Sequence, residues 1–164
     1  MVATTTTPAP VRSNVPSTRV LHVVNPLVSA ILRSPLHGML SGSLLLLTFT
    51  GRKTGKAYTI PVGYTPDGEA LLLFTDRAWR HNLHGRGRGP VSVRLQGRRR
   101  TGLAELMEDP AVVVATVERL ITRDGPKVAG RRVGLTLDAT KPPSHAQLAA
   151  ALEGHALIVL TLDP

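Results

Sequence analysis

The chain has 164 residues, 42% of them hydrophobic and 19% charged, with 20 Lys plus Arg against 11 Asp plus Glu for a formal net charge of +9. That suits one globular domain with its own core, and it directs attention to anionic partners such as phosphates, nucleic acid or an acidic membrane face. The absence of Cys removes disulfide scaffolds, thiolate metal sites, iron–sulfur clusters and cysteine nucleophiles together, and it suits a reducing, cytoplasmic setting. Aromatic residues make up only 3%, too few for the stacking platforms of most single-strand nucleic-acid binders, so a nucleic-acid partner is not expected.

Residues 1–18 are rich in Thr, Pro and Ala with only Arg12 charged, a composition that does not offset chain entropy and predicts a disordered arm before a single domain over 19–164. The segment lacks the basic start, apolar middle and small-residue cleavage site of a secretory signal, and no apolar run reaches the roughly 20 residues needed to span a bilayer, so neither a signal nor a span is expected. Peripheral membrane contact is the alternative for 19–40, where Arg19, His22, Arg33 and His37 interrupt apolar residues. Asn25-Pro26 and Ser34-Pro35 each place a capping acceptor before a proline, which predicts two short helices.

A sheet is expected next. Leu44 to Thr50 reads as a buried strand, Gly51 to Gly55 as a turn, and Tyr58 to Tyr64 as a strand whose Pro61 places it at an edge or bulge. Pro66-Asp67-Gly68 then predicts a hairpin into Ala70–Thr75. Asp76 is placed to cap a helix through about His84, ended by Gly85. Val91, Val93 and Leu95 alternate with polar residues as a strand, Gly97 turns the chain, and Arg98 to Met107 is its antiparallel partner. Asp109-Pro110 starts a helix with Val113, Val117, Leu120 and Ile121 on one face. Residues 122–143 carry no clear pattern; Ser144 then caps a last helix to Glu153, and Ala156–Leu162 is a closing strand. Six short strands with helices at the ends predict a small antiparallel barrel, mainly β with helices (α+β).

Gly51-Arg52-Lys53-Thr54-Gly55-Lys56 has the form of an anion cradle: glycines admit close backbone approach, Arg grips oxyanions with two parallel bonds, and Lys adds a point charge. A solvated hairpin tip has the same composition. It is not a nucleotide-binding P-loop, which needs four residues between the glycines, Ser or Thr after Lys, and a following helix. From Arg77 to Arg100 the chain carries eight arginines and no acidic residue; Arg94 with Arg98 and Arg100 suggests either a groove for a polyanion or a basic surface. His81 and His84 are spaced for a shared metal, but no acidic or Cys ligand stands beside them in the sequence, so no metal site is expected. Trp79 either covers a planar ligand or plugs the barrel end. No nucleophile elbow or His–acid pairing supports hydrolase chemistry, and no catalytic side chain is assigned.

Taken together, Leu44 to Lys56, Pro61, the run Trp79-Arg80-His81-Asn82-Leu83 and the strand Pro90-Val91-Ser92-Val93 resemble the deazaflavin (F420)-dependent nitroreductase and F420H2-dependent quinone reductase family over roughly residues 25–108. The resemblance implies a six-stranded antiparallel split β-barrel of the FMN/F420-binding type. It implies F420 as cofactor, with FMN as the alternative, and hydride transfer from F420H2 to a small-molecule quinone, nitro or enone-type acceptor. It also implies that Arg52, Lys53, Thr54, Gly55 and Lys56 hold the cofactor's phosphate and glutamate tail, and that Pro61, Thr75, Asp76 and Arg77 border the deazaflavin with Trp79 and Asn82 beside it. Tyr58 joins this set although the family usually has a basic residue there. The link from Arg77 to Trp79 is shorter than in the family, and the last 100 residues carry no Tyr, so the acceptor is not carried over. Related barrels pair through sheet surfaces, which makes a homodimer an expectation. The competing readings are a non-catalytic flavin-, F420- or lipid-binding protein of the same fold and a basic nucleic-acid-binding module.

Overall fold

The computed structural model describes residues 12–13, 42–84, 87–138 and 140–164. The helices expected after Asn25-Pro26 and Ser34-Pro35, the proposed membrane-contact segment and most of the expected N-terminal arm lie outside these residues. Within that arm, β1 (Arg12–Ser13) pairs antiparallel with β8 (Leu135–Thr136).

The main sheet has seven strands: β2 (Leu44–Thr50), β3 (Ala57–Gly63), β4 (Thr65–Asp67), β5 (Ala70–Thr75), β6 (Arg88–Leu95), β7 (Arg98–Met107) and β9 (Ala156–Leu162). Their order is β3-β2-β6-β7-β9-β5-β4, and every pairing is antiparallel. The sheet curls until edge strand β3 approaches β5, giving a split β-barrel, mainly β with helices. The count exceeds the expected six because Thr65–Asp67 forms a short strand of its own. The expected hairpin between the second and third predicted strands is therefore absent: β3 pairs with β2, and β4 is the partner of β5. Pro61 does sit on an edge strand, where its missing N–H breaks no ladder on the open side.

Two cores share the central strands. Alternate residues Leu45, Leu47, Phe49, Leu71, Leu73, Val91, Val93, Ile158 and Leu160 fill the barrel. The opposite faces of β5 and β9, through Leu72 and Leu157, pack against the helices, which is why these strands read as unbroken apolar runs. The covering helices are α1 (Pro110–Asp124), α2 (Pro126–Val133) and α3 (His145–Ala151). Asp109 caps α1 by accepting the Ala111 N–H at 2.9 Å, and Ser144 with Gln147 forms a reciprocal capping box on α3. The unpatterned stretch 122–143 contains the end of α1, all of α2 and β8. The helix expected from Asp76 is a 3-10 helix, Ala78–Asn82, with Arg77 at its N-cap and no side-chain cap bond. Asp76 is engaged instead with the Arg77 guanidinium at 3.2 Å.

Candidate functional site

The basic turn between β2 and β3 is closed by its own backbone: Gly51 N–H donates to the Lys56 carbonyl and Gly55 N–H to the Gly51 carbonyl. Lys56 N–H donates to the Thr54 hydroxyl at 3.3 Å, and Arg52 N–H donates to Asn82 Oδ1 at 3.0 Å. Four of the turn's N–H groups are thus committed within the protein, so its binding capacity rests on side chains more than on the backbone nest that its glycines suggest. Gly55 is left-handed at φ 66°. Gly51 is required for space: a Cβ there would lie 2.5 Å from Tyr58 Cε2 and 2.7 Å from Thr54 Oγ1.

Asn82 ties the turn to the 3-10 helix, since its Nδ2 also donates to the Trp79 carbonyl at 2.8 Å. The Trp79 ring stacks on Phe49 with centroids 5.5 Å apart, and Phe49 stacks on Tyr58 at 6.0 Å. Trp79 is partly buried and packs on the barrel core. Tyr58 remains 41% exposed, and its hydroxyl lies 3.1 Å from that of Thr54. Thr75, at the end of β5, accepts the Arg77 N–H at 3.1 Å and so shapes the entry to the 3-10 helix.

The expected set is therefore assembled in part. Arg52, Lys53, Thr54, Gly55, Lys56, Tyr58, Trp79 and Asn82 form one connected group around the turn. Pro61 stands apart on the other face of β3: it is opposite Leu46, and Leu46 opposite Arg94, in one cross-strand row. Among the described residues Arg52, Lys53 and Lys56 have no carboxylate partner. These exposed cations with the Thr54 hydroxyl fit a phosphate- or carboxylate-bearing group.

The arginine run is less free than its sequence suggests, because the fold brings acids to it from elsewhere. Arg80 pairs with Glu108 at 3.2 Å and Arg88 with Glu105 at 2.9 Å; Arg100 donates to the Asp163 carbonyl. Arg94 shares a face with Arg99, its register partner, and not with Arg98 and Arg100, which stand opposite Leu95 and Val93. His81 and His84 do meet an acidic residue: Glu108 lies 4.0 Å from His81 Nδ1 and 3.5 Å from His84 Nε2. Arg80 already occupies that carboxylate, and no metal-holding cluster is present among the described residues. A groove of about 370 Å³ lies on the outer face of the sheet, with Thr48, Thr59, Ser92, Arg94 and Arg99 in its lining. Thr48, Thr59 and Arg99 went unrecognised in the sequence, though alternation along each strand carried the signal.

The F420H2-dependent quinone reductase family model matches residues 32–123, more than half of the chain, and the chain belongs to that family. Among solved structures it is similar to an F420 reductase at 19% identity, covering 83% of this chain and 93% of that one with a TM-score of 0.43. It is also similar to the heme storage protein HutZ of Vibrio cholerae (13% identity, 80% and 91% covered, TM-score 0.45). A FAD-binding protein of Mesorhizobium loti is a third relative in shape (14% identity, 94% of each chain, TM-score 0.42). No curated protein matches the chain.

Proposed function

We propose that the protein is a cytoplasmic oxidoreductase that uses F420H2 to reduce a small-molecule acceptor of the quinone, nitro or enone type. The observation that supports it most is the turn itself: Arg52, Lys53 and Lys56 stand exposed, without acidic partners among the described residues, on a loop anchored through Asn82 to an aromatic-backed 3-10 helix. When bound, F420H2 supplies the hydride; the protein supplies position, shielding and electrostatics. Arg52 and the two lysines would hold the phosphate and acidic tail, with Thr54 donating from its hydroxyl. Asn82 would fix the turn against the 3-10 helix, so that Trp79, Thr75, Asp76 and Arg77 keep their places beside the ring. Pro61, on the outer face of the edge strand opposite Leu46, stands apart from that group and is given no place at the ring. No side chain is assigned as catalytic acid, since water can protonate the reduced acceptor.

The test is a fluorescence or calorimetric titration of the full chain with F420 and, in parallel, FMN, at low and physiological salt, followed by steady-state oxidation of F420H2 with candidate acceptors. Micromolar or tighter F420 binding with weak FMN binding and acceptor-dependent turnover is the expected result. Tighter FMN binding would change the cofactor, binding without turnover would favour a carrier, and binding of neither would return the turn to a surface loop.

A further inference from the structure

The hairpin between β6 and β7 sets two guanidiniums side by side. Leu95 and Arg98 close a two-residue turn in which Gln96 and Gly97 both have positive φ, 48° and 78°, a geometry that suits strand twist but is unfavourable for Gln. Arg94 Nε donates to the Gly97 carbonyl at 3.3 Å, holding the Arg94 side chain against this turn. The register then places Arg99 directly opposite Arg94. Like charges in that position repel, and among the described residues neither has a carboxylate partner, whereas Arg77, Arg80, Arg88, Arg119, Arg123 and Arg132 each have one. Both arginines open onto the 370 Å³ groove, which also presents the hydroxyls of Thr48, Thr59 and Ser92. The two threonine hydroxyls lie 2.9 Å apart and are ordered by each other.

We propose that Arg94 and Arg99 form an oxyanion subsite on the outer face of the sheet, separate from the basic turn, that binds a carboxylate or phosphate of a small ligand lying over Thr48, Thr59 and Ser92. An anion there relieves the repulsion between the guanidiniums and meets a ready set of donors. The subsite stands without the cofactor reading; only its source rests on it, the group belonging either to the glutamate tail of F420 or to an anionic acceptor.

The subsite is tested by calorimetric titration of the full chain with inorganic pyrophosphate and with γ-glutamylglutamate, in a Lys53→Ala background that weakens the competing turn. Arg99→Gln removes an exposed side chain that has no carboxylate partner among the described residues; it should lower affinity for both probes about tenfold or more, as expected for a charge-assisted contact. Arg131→Gln, on α2, should change nothing. Arg94→Gln should match Arg99→Gln, with denaturation curves confirming that each variant folds. The two sources separate with F420 lacking or carrying glutamates, in the otherwise wild-type chain. If the tail is the source, Arg99→Gln weakens only the long-tailed form; if an acceptor is, it raises KM for a carboxylated acceptor and leaves a neutral one unchanged. Probe affinity unchanged by Arg99→Gln, a fall equalled by Arg131→Gln, or an effect in neither source experiment overturns the proposal. Failure of the chain to bind F420 leaves the pyrophosphate titration intact, so the two readings fail separately.

Discussion

Lys53 and Thr65 sit at opposite extremes of polar environment. Lys53 is exposed on the basic turn, and the N–H groups around it are largely engaged, so its ammonium acts as a side-chain point charge. Lys53→Ala should weaken F420 binding by at least about 1.5 kcal/mol, the lower range for a hydrogen bond to a charged group, while leaving the denaturation midpoint unchanged at about 0.15 M salt, where repulsion among exposed cations is screened. Titration of the variant checks this; unaltered affinity places the phosphate elsewhere. Thr65 is fully buried, and its hydroxyl has no hydrogen-bond partner among the described residues. Thr65→Val keeps the shape and removes the desolvated hydroxyl. It should therefore raise stability by about 1 kcal/mol, or roughly 3 °C in Tm for a chain of this size; calorimetric melting reads it, and a lower Tm would show that the hydroxyl is satisfied in solution.

Between elements, the strongest polar clamp joins the β4–β5 hairpin to α1. Asp67 accepts from Arg119 through both carboxylate oxygens, at 2.8 and 2.7 Å, and from Arg123 at 2.8 Å. Hydrogen bonding from Arg119 chiefly, opposed by desolvation and helped by the charges of Arg119 and Arg123, holds the Asp67 carboxyl below the usual carboxylate range. A depressed acid contributes stability that is fully present above its unfolded pKa of about 3.9 and is lost as pH falls through the folded value. The denaturant midpoint should therefore drop from about pH 5 downward, and Asp67→Asn should be less stable at neutral pH with a shallower acid slope. Parallel slopes in the two proteins would remove Asp67 from the acid response. Much at this scale was legible in the sequence, because it depends on neighbours along the chain: the β2–turn–β3 unit, the β6–β7 hairpin, the Asp109 cap and the Ser144 cap are all local. The Asn82–Arg52 bond and the meeting of His81 and His84 with Glu108 join segments about 30 and 25 residues apart, and no local pattern announces them. The pairing of Arg94 with Arg99 turned on parity alone. A turn of two residues, Gln96 and Gly97, fixes which arginines share a face, and one residue more would have exchanged them.

Across the whole molecule the +9 charge is distributed unevenly by the fold. On the helix side, Asp67 and Asp124 gather Arg119, Arg123 and Arg132 into a connected ion-pair network. On the sheet side, the basic turn and the β6–β7 hairpin leave Arg52, Lys53, Lys56, Arg94 and Arg99 without carboxylates among the described residues. Salt should then act on this protein in two opposing directions. The unpaired cations repel one another, and salt screens that repulsion as the Debye length shortens to about 10 Å at 0.1 M. Raising ionic strength from about 0.02 to 0.15 M should therefore raise the Tm of the ligand-free chain as that repulsion is screened. The same rise should weaken binding of F420, because its anionic groups compete with salt for exposed cations. In Lys53→Ala and Arg99→Gln the thermal gain should shrink, each having removed part of the repulsive field. Melting curves and titrations on one buffer series measure both trends. A Tm that falls with salt while affinity also falls would mean that the helix-side ion pairs, and not the repulsion among sheet-side cations, dominate the electrostatics of the folded state.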